Sequence, residues 1–335
     1  MWALEEIDLP PELTTIGIGA FYYTSALTSI TIPGSVETFS DAFNDSGLET
    51  VTIEHGVDEV DSYAFCNCYH LKSVNLPDSI QSIGNYAFNG CQQLEELDLP
   101  EGITSFGEYA FANTAISEFE FPEGASINAG VLQNTSITSI VIPQGVATIG
   151  QNAFYGCENL ATVTFPSTLT RIEGGAFSYT ALTSLNLPDG VTHIGHSAFR
   201  ECNALETVTM TDSVTTMDDN AFDDCDILRS VTLSDQIETI GLQTFSQCKK
   251  LETIHLPASL KTIGNDAFQY CESLRSLTLP DGTESIGSLA FRGCSVLEAV
   301  VIPASVTSID SGWNNNSVFA YCGVLTLYCN TRFPC

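Results

Sequence analysis

The chain has 335 residues, 44% of them apolar, with 41 acidic against 10 basic side chains and a formal net charge of −31. That apolar share excludes disorder, and the acidic balance disfavours nucleic acid and anionic membrane surfaces, both of which require basic patches. Residues 1–150 hold 21 carboxylates and one basic residue, Lys72, whereas residues 151–335 hold 20 and 9, so charge leaves basic proteins, cationic glycans or divalent cations as partners and otherwise serves solubility.

In chain order, the first elements already belong to a repeat. Ala3-Leu4-x-x-Ile7-x-Leu9-Pro10 matches Ala181-Leu182-x-x-Leu185-x-Leu187-Pro188, which reads as an excerpt starting inside a coil or a gene model missing its 5′ end; the opening residues carry no signal-peptide pattern. From Phe21, Phe43, Phe65, Phe88 and Phe111 onward a phenylalanine recurs, most often every 22 or 23 residues, up to Phe319. The 43-residue step from Phe111 to Phe154 hides a site where Leu132 takes the slot. So constant a period means one unit copied about fourteen times, in coils of 21–23 residues, stacked as a single solenoid over 1–335.

Residues 71–93 define the coil. Val74 and Leu76 alternate with Ser73 and Asn75, the period of a short strand with one buried face, and Pro77 ends it. Ile80 and Ile83 form a second inward pair, Gly84 permits a turn or a close backbone approach, and Ala87-Phe88 starts a short helical or 3₁₀ segment. The inward set of Leu, Val, Leu, Ile, Ile, Ala, Phe and Cys is buried by stacking on neighbouring coils. The shortened Leu132 coil is expected to pack more loosely. Residues 310–335 are expected to form an irregular capping region in which Trp313 covers the exposed core.

The pattern Leu-x-x-Val-x-Leu-Pro…Ile-Gly-x-x-Ala-Phe-x-x-Cys resembles the BspA-like class of leucine-rich repeats over about residues 3–328. The fold this resemblance implies is an α/β-type repeat solenoid of mostly short β-strands, a right-handed arc with a parallel sheet on its concave face. It also implies protein–protein recognition, with adhesion or ligand capture at a cell surface or outside the cell. A structural spacer or scaffold in a larger protein is the alternative function, and the cytoplasm is the alternative location. No membrane insertion is expected, as no apolar run approaches the ~18 residues of a spanning helix, and the chain is expected to be monomeric.

The outward strand residues form two ladders, mostly Ser and Thr, which suits a β-surface. Thr50-x-Thr52, Thr162-x-Thr164 and Thr207-x-Thr209 suggest an ice-matching array, but Glu96, Asp98, Glu118 and Glu120 interrupt it. Neighbouring strands would set Glu96 beside Glu118 and Asp98 beside Glu120. Like charges directly opposite are destabilising, so the cluster points to a Ca²⁺ site with oxygen ligands, to a Lys/Arg-rich or extracellular-matrix protein, or to a solvated patch. These four residues, with Asn186 and His255 on the same ladders, are the candidate partner-binding set.

Nine cysteines stand three residues after the Phe slot: Cys68, Cys91, Cys157, Cys202, Cys225, Cys248, Cys271, Cys294 and Cys322. Their interchange with Thr and Ser marks a small buried side chain, not a disulfide or metal ligand. Cys329 and Cys335 are either a terminal disulfide or two exposed thiols. His193-x-x-His196 reads as two solvated residues, and the sequons at Asn44, Asn134 and Asn315 are near chance in this composition. No nucleophile elbow, phosphate loop or dinucleotide fingerprint appears, so neither enzyme activity nor a cofactor is expected.

Overall fold

The computed structural model describes residues 4–310 and 317–330. They form two compact units, Met1–Thr164 and Phe165–Cys335, both built from the coil read above. In the 71–93 coil, Leu71, Val74, Ile80, Ile83, Ala87, Phe88 and Cys91 are buried and Leu76 is half-buried. Most coils contribute a three-to-five-residue strand to a wide sheet and a two-residue strand to a narrow one, and every pairing among the described residues is parallel. In the first unit Ser29–Ile32, Thr50–Ile53 and Ser73–Asn75 pair in register, as do Ser139–Val141 and Thr162–Thr164. Its narrow sheet joins Glu59–Val60, Ser82–Ile83 and Ser105–Phe106. In the second unit the wide strands Ser184–Asn186, Thr207–Thr209, Ser230–Thr232 and Thr253–His255 form one sheet.

The helical segment expected at Ala87-Phe88 is absent. Among the described residues no helix forms, and the α part of the expected α/β class is not realised. The backbone bonds explain why. Ala64, Cys66 and Cys68 donate their amides within the coil, to the carbonyls of Asp61, Tyr63 and Phe65. The alternating residues Tyr63, Phe65 and Asn67 donate instead to Asn85, Ala87 and Asn89 of the next coil, at 2.8, 2.9 and 2.7 Å. A helix would keep all of these amides for its own turn. The alternation is produced by left-handed residues on either side of the Phe, here Tyr63 at φ 60° and Asn67 at φ 57°. Non-glycine residues rarely take that conformation; here it is held by the inter-coil bonds. Tyr63, Tyr86 and Tyr109 gain further from stacking on one another with centroids 4.9 Å apart.

Gly84 serves close approach and not a turn. A Cβ on it would lie 2.5 Å from the Ser62 amide nitrogen of the preceding coil.

The phenylalanines stack nearly parallel: Phe21, Phe43, Phe65, Phe88 and Phe111 at 4.9–5.9 Å in the first unit, and Phe177 through Phe319 at 5.3–5.7 Å in the second. The Leu132 coil is not loose, contrary to expectation: Val131 and Leu132 are fully buried. The same coil carries two phenylalanines, Phe119 and Phe121, at strand positions that are aliphatic in most other coils. With Phe106 and Phe111 these rings form a cluster of edge-on and tilted contacts at 4.8–5.9 Å, and Phe121 reaches to 6.5 Å from Phe154. The volume missing at the Leu132 slot is supplied from the strand side.

The cysteine slot is also more than a small apolar site. Each thiol donates to the carbonyl of the Phe slot one coil back, as from Cys68 to Phe43, Cys157 to Leu132 and Cys271 to Phe245, at 3.0–3.2 Å. Where the slot holds Thr, the hydroxyl donates to its own coil's carbonyl, as from Thr135 to Leu132 and Thr180 to Phe177, both at 2.9 Å. The slot therefore selects a small donor, which is why Cys, Thr and Ser interchange. We expect Cys271→Val to be about 1 kcal/mol less stable than Cys271→Thr in urea unfolding, although valine is the more apolar of two equal shapes, because valine supplies no donor, whereas a threonine there donates to the Phe268 carbonyl of its own coil. Equal stabilities would refute the donor role.

Residues 317–330 are more regular than the expected capping region. Phe319 stacks on Phe291 at 5.5 Å, and Thr326–Asn330 pairs with Ala299–Pro303. Trp313, Cys335 and the sequon at Asn315 lie outside the described residues, as does the side chain of Cys329.

Candidate functional site

The ten cysteines from Cys66 to Cys322 are free thiols. Burial pushes Cys68 up to about 12 and Cys202 up to about 11, and Cys225, Cys248 and Cys271 well above the usual thiol value. Nucleophilic or metal chemistry needs the thiolate, so these groups are held in the unreactive form.

The sheet face carries the Ser/Thr ladders. Ser29 faces Thr50, which faces Ser73 in turn, and Thr31 faces Thr52, which faces Asn75; Asn75 donates to Thr52 at 3.4 Å. The expected continuation through Glu96, Asp98, Glu118 and Glu120 fails. All four are exposed, but residues 95–99 and 117–121 form no strand. A lone 3.4 Å bond from the Ser117 amide to the Glu95 carbonyl joins them; the Phe turns of the same coils keep their bonds, whereas the narrow sheet also stops at Ser105–Phe106, and Ile127 bridges only forward to Ile149. Two physical causes coincide here. Paired strands would set carboxylates directly opposite one another, and the Phe119 and Phe121 rings occupy the inward slots beneath. Among the described residues, no group of three or more His, Cys, Asp and Glu converges as a metal cage.

The two remaining candidates lie apart from these four. Asn186 and His255 are exposed in the second unit, at the two ends of one ladder, Asn186–Thr209–Thr232–His255. His193, expected to be solvated, is instead half-buried on its narrow strand, with its Nε2 3.3 Å from an Asp218 carboxylate oxygen; His196 is exposed.

Charge compensation differs between the units. In the second, Arg229–Glu252, Lys249–Asp226 and Lys261–Glu238 pair adjacent coils at 2.7–3.1 Å. The first has 22 acidic residues in 1–164 and a single Lys or Arg, Lys72, already 2.6 Å from Glu49. Exposed pairs of this kind contribute about 0–1 kcal/mol each. Their importance here is that they offset part of one unit's charge, with 9 basic against 19 acidic residues in 165–335, and leave the other's nearly uncompensated. Sequence reasoning found the lopsided charge but missed the coil-to-coil pairing, which a comparison of residues 23 apart would have exposed.

The described repeats match the BspA-type leucine-rich-repeat region, in overlapping stretches over residues 1–47, 14–128, 125–249 and 218–328. The chain belongs to the BspA-type leucine-rich-repeat family. Among solved structures, this BspA-type chain is similar to a leucine-rich repeat protein from Bacteroides ovatus at 27% identity and TM-score 0.71, covering 90% of this chain and 82% of that one. It is also similar to a leucine-rich cell surface protein from Faecalibacterium prausnitzii at 29% identity and TM-score 0.59, covering 87% and 82%. A leucine-rich repeat protein from Eubacterium ventriosum follows at 25% identity and TM-score 0.63, covering 86% and 84%. No curated protein matches the chain. BspA-type arrays are interaction scaffolds, and a repeat scaffold for protein interaction is the coarse function of this chain. Among the described residues no helix is long and apolar enough to cross a membrane.

Proposed function

We propose that this BspA-type protein acts at the cell surface or outside the cell, adhering to a Lys/Arg-rich protein through the acidic face of Met1–Thr164. The observation that carries the reading is the uncompensated charge of that unit, sharpest where Glu96, Asp98, Glu118 and Glu120 stand exposed on backbone freed from strand pairing. Complementary charge steers a basic partner and fixes its register. The free amides and carbonyls beside the carboxylates add hydrogen-bonding groups that the paired strands elsewhere have already used. The surface location draws support from the similar F. prausnitzii chain, described as a cell surface protein.

Surface plasmon resonance against immobilised basic extracellular-matrix proteins tests this, comparing the wild type with Glu96→Gln/Asp98→Asn/Glu118→Gln/Glu120→Gln. The wild type is expected to bind, with affinity falling steeply as salt rises, and the quadruple variant to lose about tenfold or more, since each charge pair at an interface rim is modest and four add. No binding, or equal binding by the variant, would sink the proposal.

A further inference from the structure

The Phe turns build a second surface, separate from the sheet face. In the first unit the column two residues before the Phe slot is filled by the stacked rings of Tyr63, Tyr86 and Tyr109. In the second unit the same column holds the smaller Ser197, Asn220 and Gln243, and a hollow of about 380 Å³ opens across four successive coils. Its walls are entirely polar. Arg200, Asp223, Ser246 and Gln269 come from the column just after the Phe, and Asp224 and Gln247 from the next one.

Asp223 anchors the floor. It is buried, 6% exposed, and takes the Arg200 Nε at 3.2 Å. Arg200 also contacts Glu201 at 3.3 Å, so its guanidinium is already engaged and offers an incoming anion little. Asn220 donates to Gln243 at 3.1 Å, and Gln269 to Asp266 at 2.5 Å, which holds these carboxamides in place. The Asp224 carboxylate and the Gln247 carboxamide make no side-chain hydrogen bond to another described residue. Burial, then the neighbouring Asp223, raises the Asp224 carboxyl above its usual value, which favours a neighbour that donates a hydrogen bond.

The size falls within the range of small-ligand sites, about 300–1,000 Å³. His196 contributes the one aromatic ring, itself polar, and no aliphatic side chain lines the walls, which excludes an apolar ligand. Asp223 and Asp224 against Arg200 leave a net negative charge, which excludes an anion. A bare cation is poorly served too, because Arg200 already engages Asp223 and no three His, Cys, Asp or Glu among the described residues converge. Six of the ten wall residues are neutral Ser, Asn or Gln, which suit a neutral molecule dense in groups that both donate and accept. A sugar hydroxyl does both, and a carboxamide offers the matching donor and acceptor on one planar group. We propose that this hollow is a binding site for a small neutral saccharide, independent of the acidic face on the other unit.

Saturation-transfer NMR on the full chain tests this, with the methyl glycosides of glucose, galactose and mannose and with N-acetylglucosamine as probes at millimolar concentration. Transfer to at least one probe is expected, and its loss in Asp224→Asn/Gln269→Ala. Asparagine tolerates the left-handed φ of 59° at position 224, and an unchanged melting curve verifies that the variant is folded. Silence from all four probes, or undiminished transfer in the folded variant, would overturn the site. Neither result bears on the acidic face, which is tested by its own variant.

Discussion

Replacing Phe199 by alanine is expected to cost about 3–5 kcal/mol, the range for emptying a fully buried phenylalanine site. Its ring has no exposed surface and stacks at 5.5 Å on Phe177 and 5.3 Å on Phe222, and each such contact adds about 0.5–1.5 kcal/mol beyond area. The loss should stay local. Each coil bonds to its immediate neighbours, so stability in such an array is a sum of coil and interface terms. Hydrogen exchange should accelerate in the Phe177, Phe199 and Phe222 turns, whose amides bridge coils, and remain slow near Phe291. Uniform acceleration over the second unit would show that it melts as one cooperative block.

The second large effect runs against the repeat. Leu132→Phe restores the missing phenylalanine of the period, yet it is expected to destabilise by about 1–3 kcal/mol, the usual cost of overpacking. The reason is that Phe119 and Phe121 already fill the volume between Phe111 and Phe154. Combining Leu132→Phe with Phe119→Val returns that coil to the common pattern and should recover most of the loss, a favourable coupling of about 0.5–3 kcal/mol between residues that share a space. Additive losses in urea unfolding would mean that the cluster and the slot do not compete.

Both predictions rest on neighbours, and neighbours mark the limit of what could be read from the residues alone. Val74, Ile80, Ile83 and Phe88 were identifiable as buried because the same positions recur coil after coil with the same character. The cysteines could be assigned to the interior for the same reason. Their interchange with Thr and Ser held the clue to hydrogen bonding, but the acceptor is a carbonyl 25 or 26 residues earlier, and 31 for Cys322, which spacing within one coil does not reveal. The helical expectation at Ala87-Phe88 failed similarly: a short turn with Ala and Phe resembles a helix until half of its amides find acceptors in the next coil.

The candidate site divides along the same line. The acidic residues and their exposure were legible as a break in a Ser/Thr column. That the break removes the strands at 95–99 and 117–121 was not, because it depends on carboxylates meeting across two coils and on two phenylalanine rings beneath them. The polar hollow was hidden too, its walls coming from four coils and from columns that look like ordinary solvent-facing turn residues.

The sequence by itself determined the coil, its inward residues, the family and the charge asymmetry, since these are properties of each repeat or of simple sums. The tertiary structure alone decided which amides bridge coils, where strand pairing stops, how the Leu132 gap is filled and which cations are neutralised. Those outcomes are set by contacts between residues about one period apart, where the identity of both partners matters and an average over the repeats erases it.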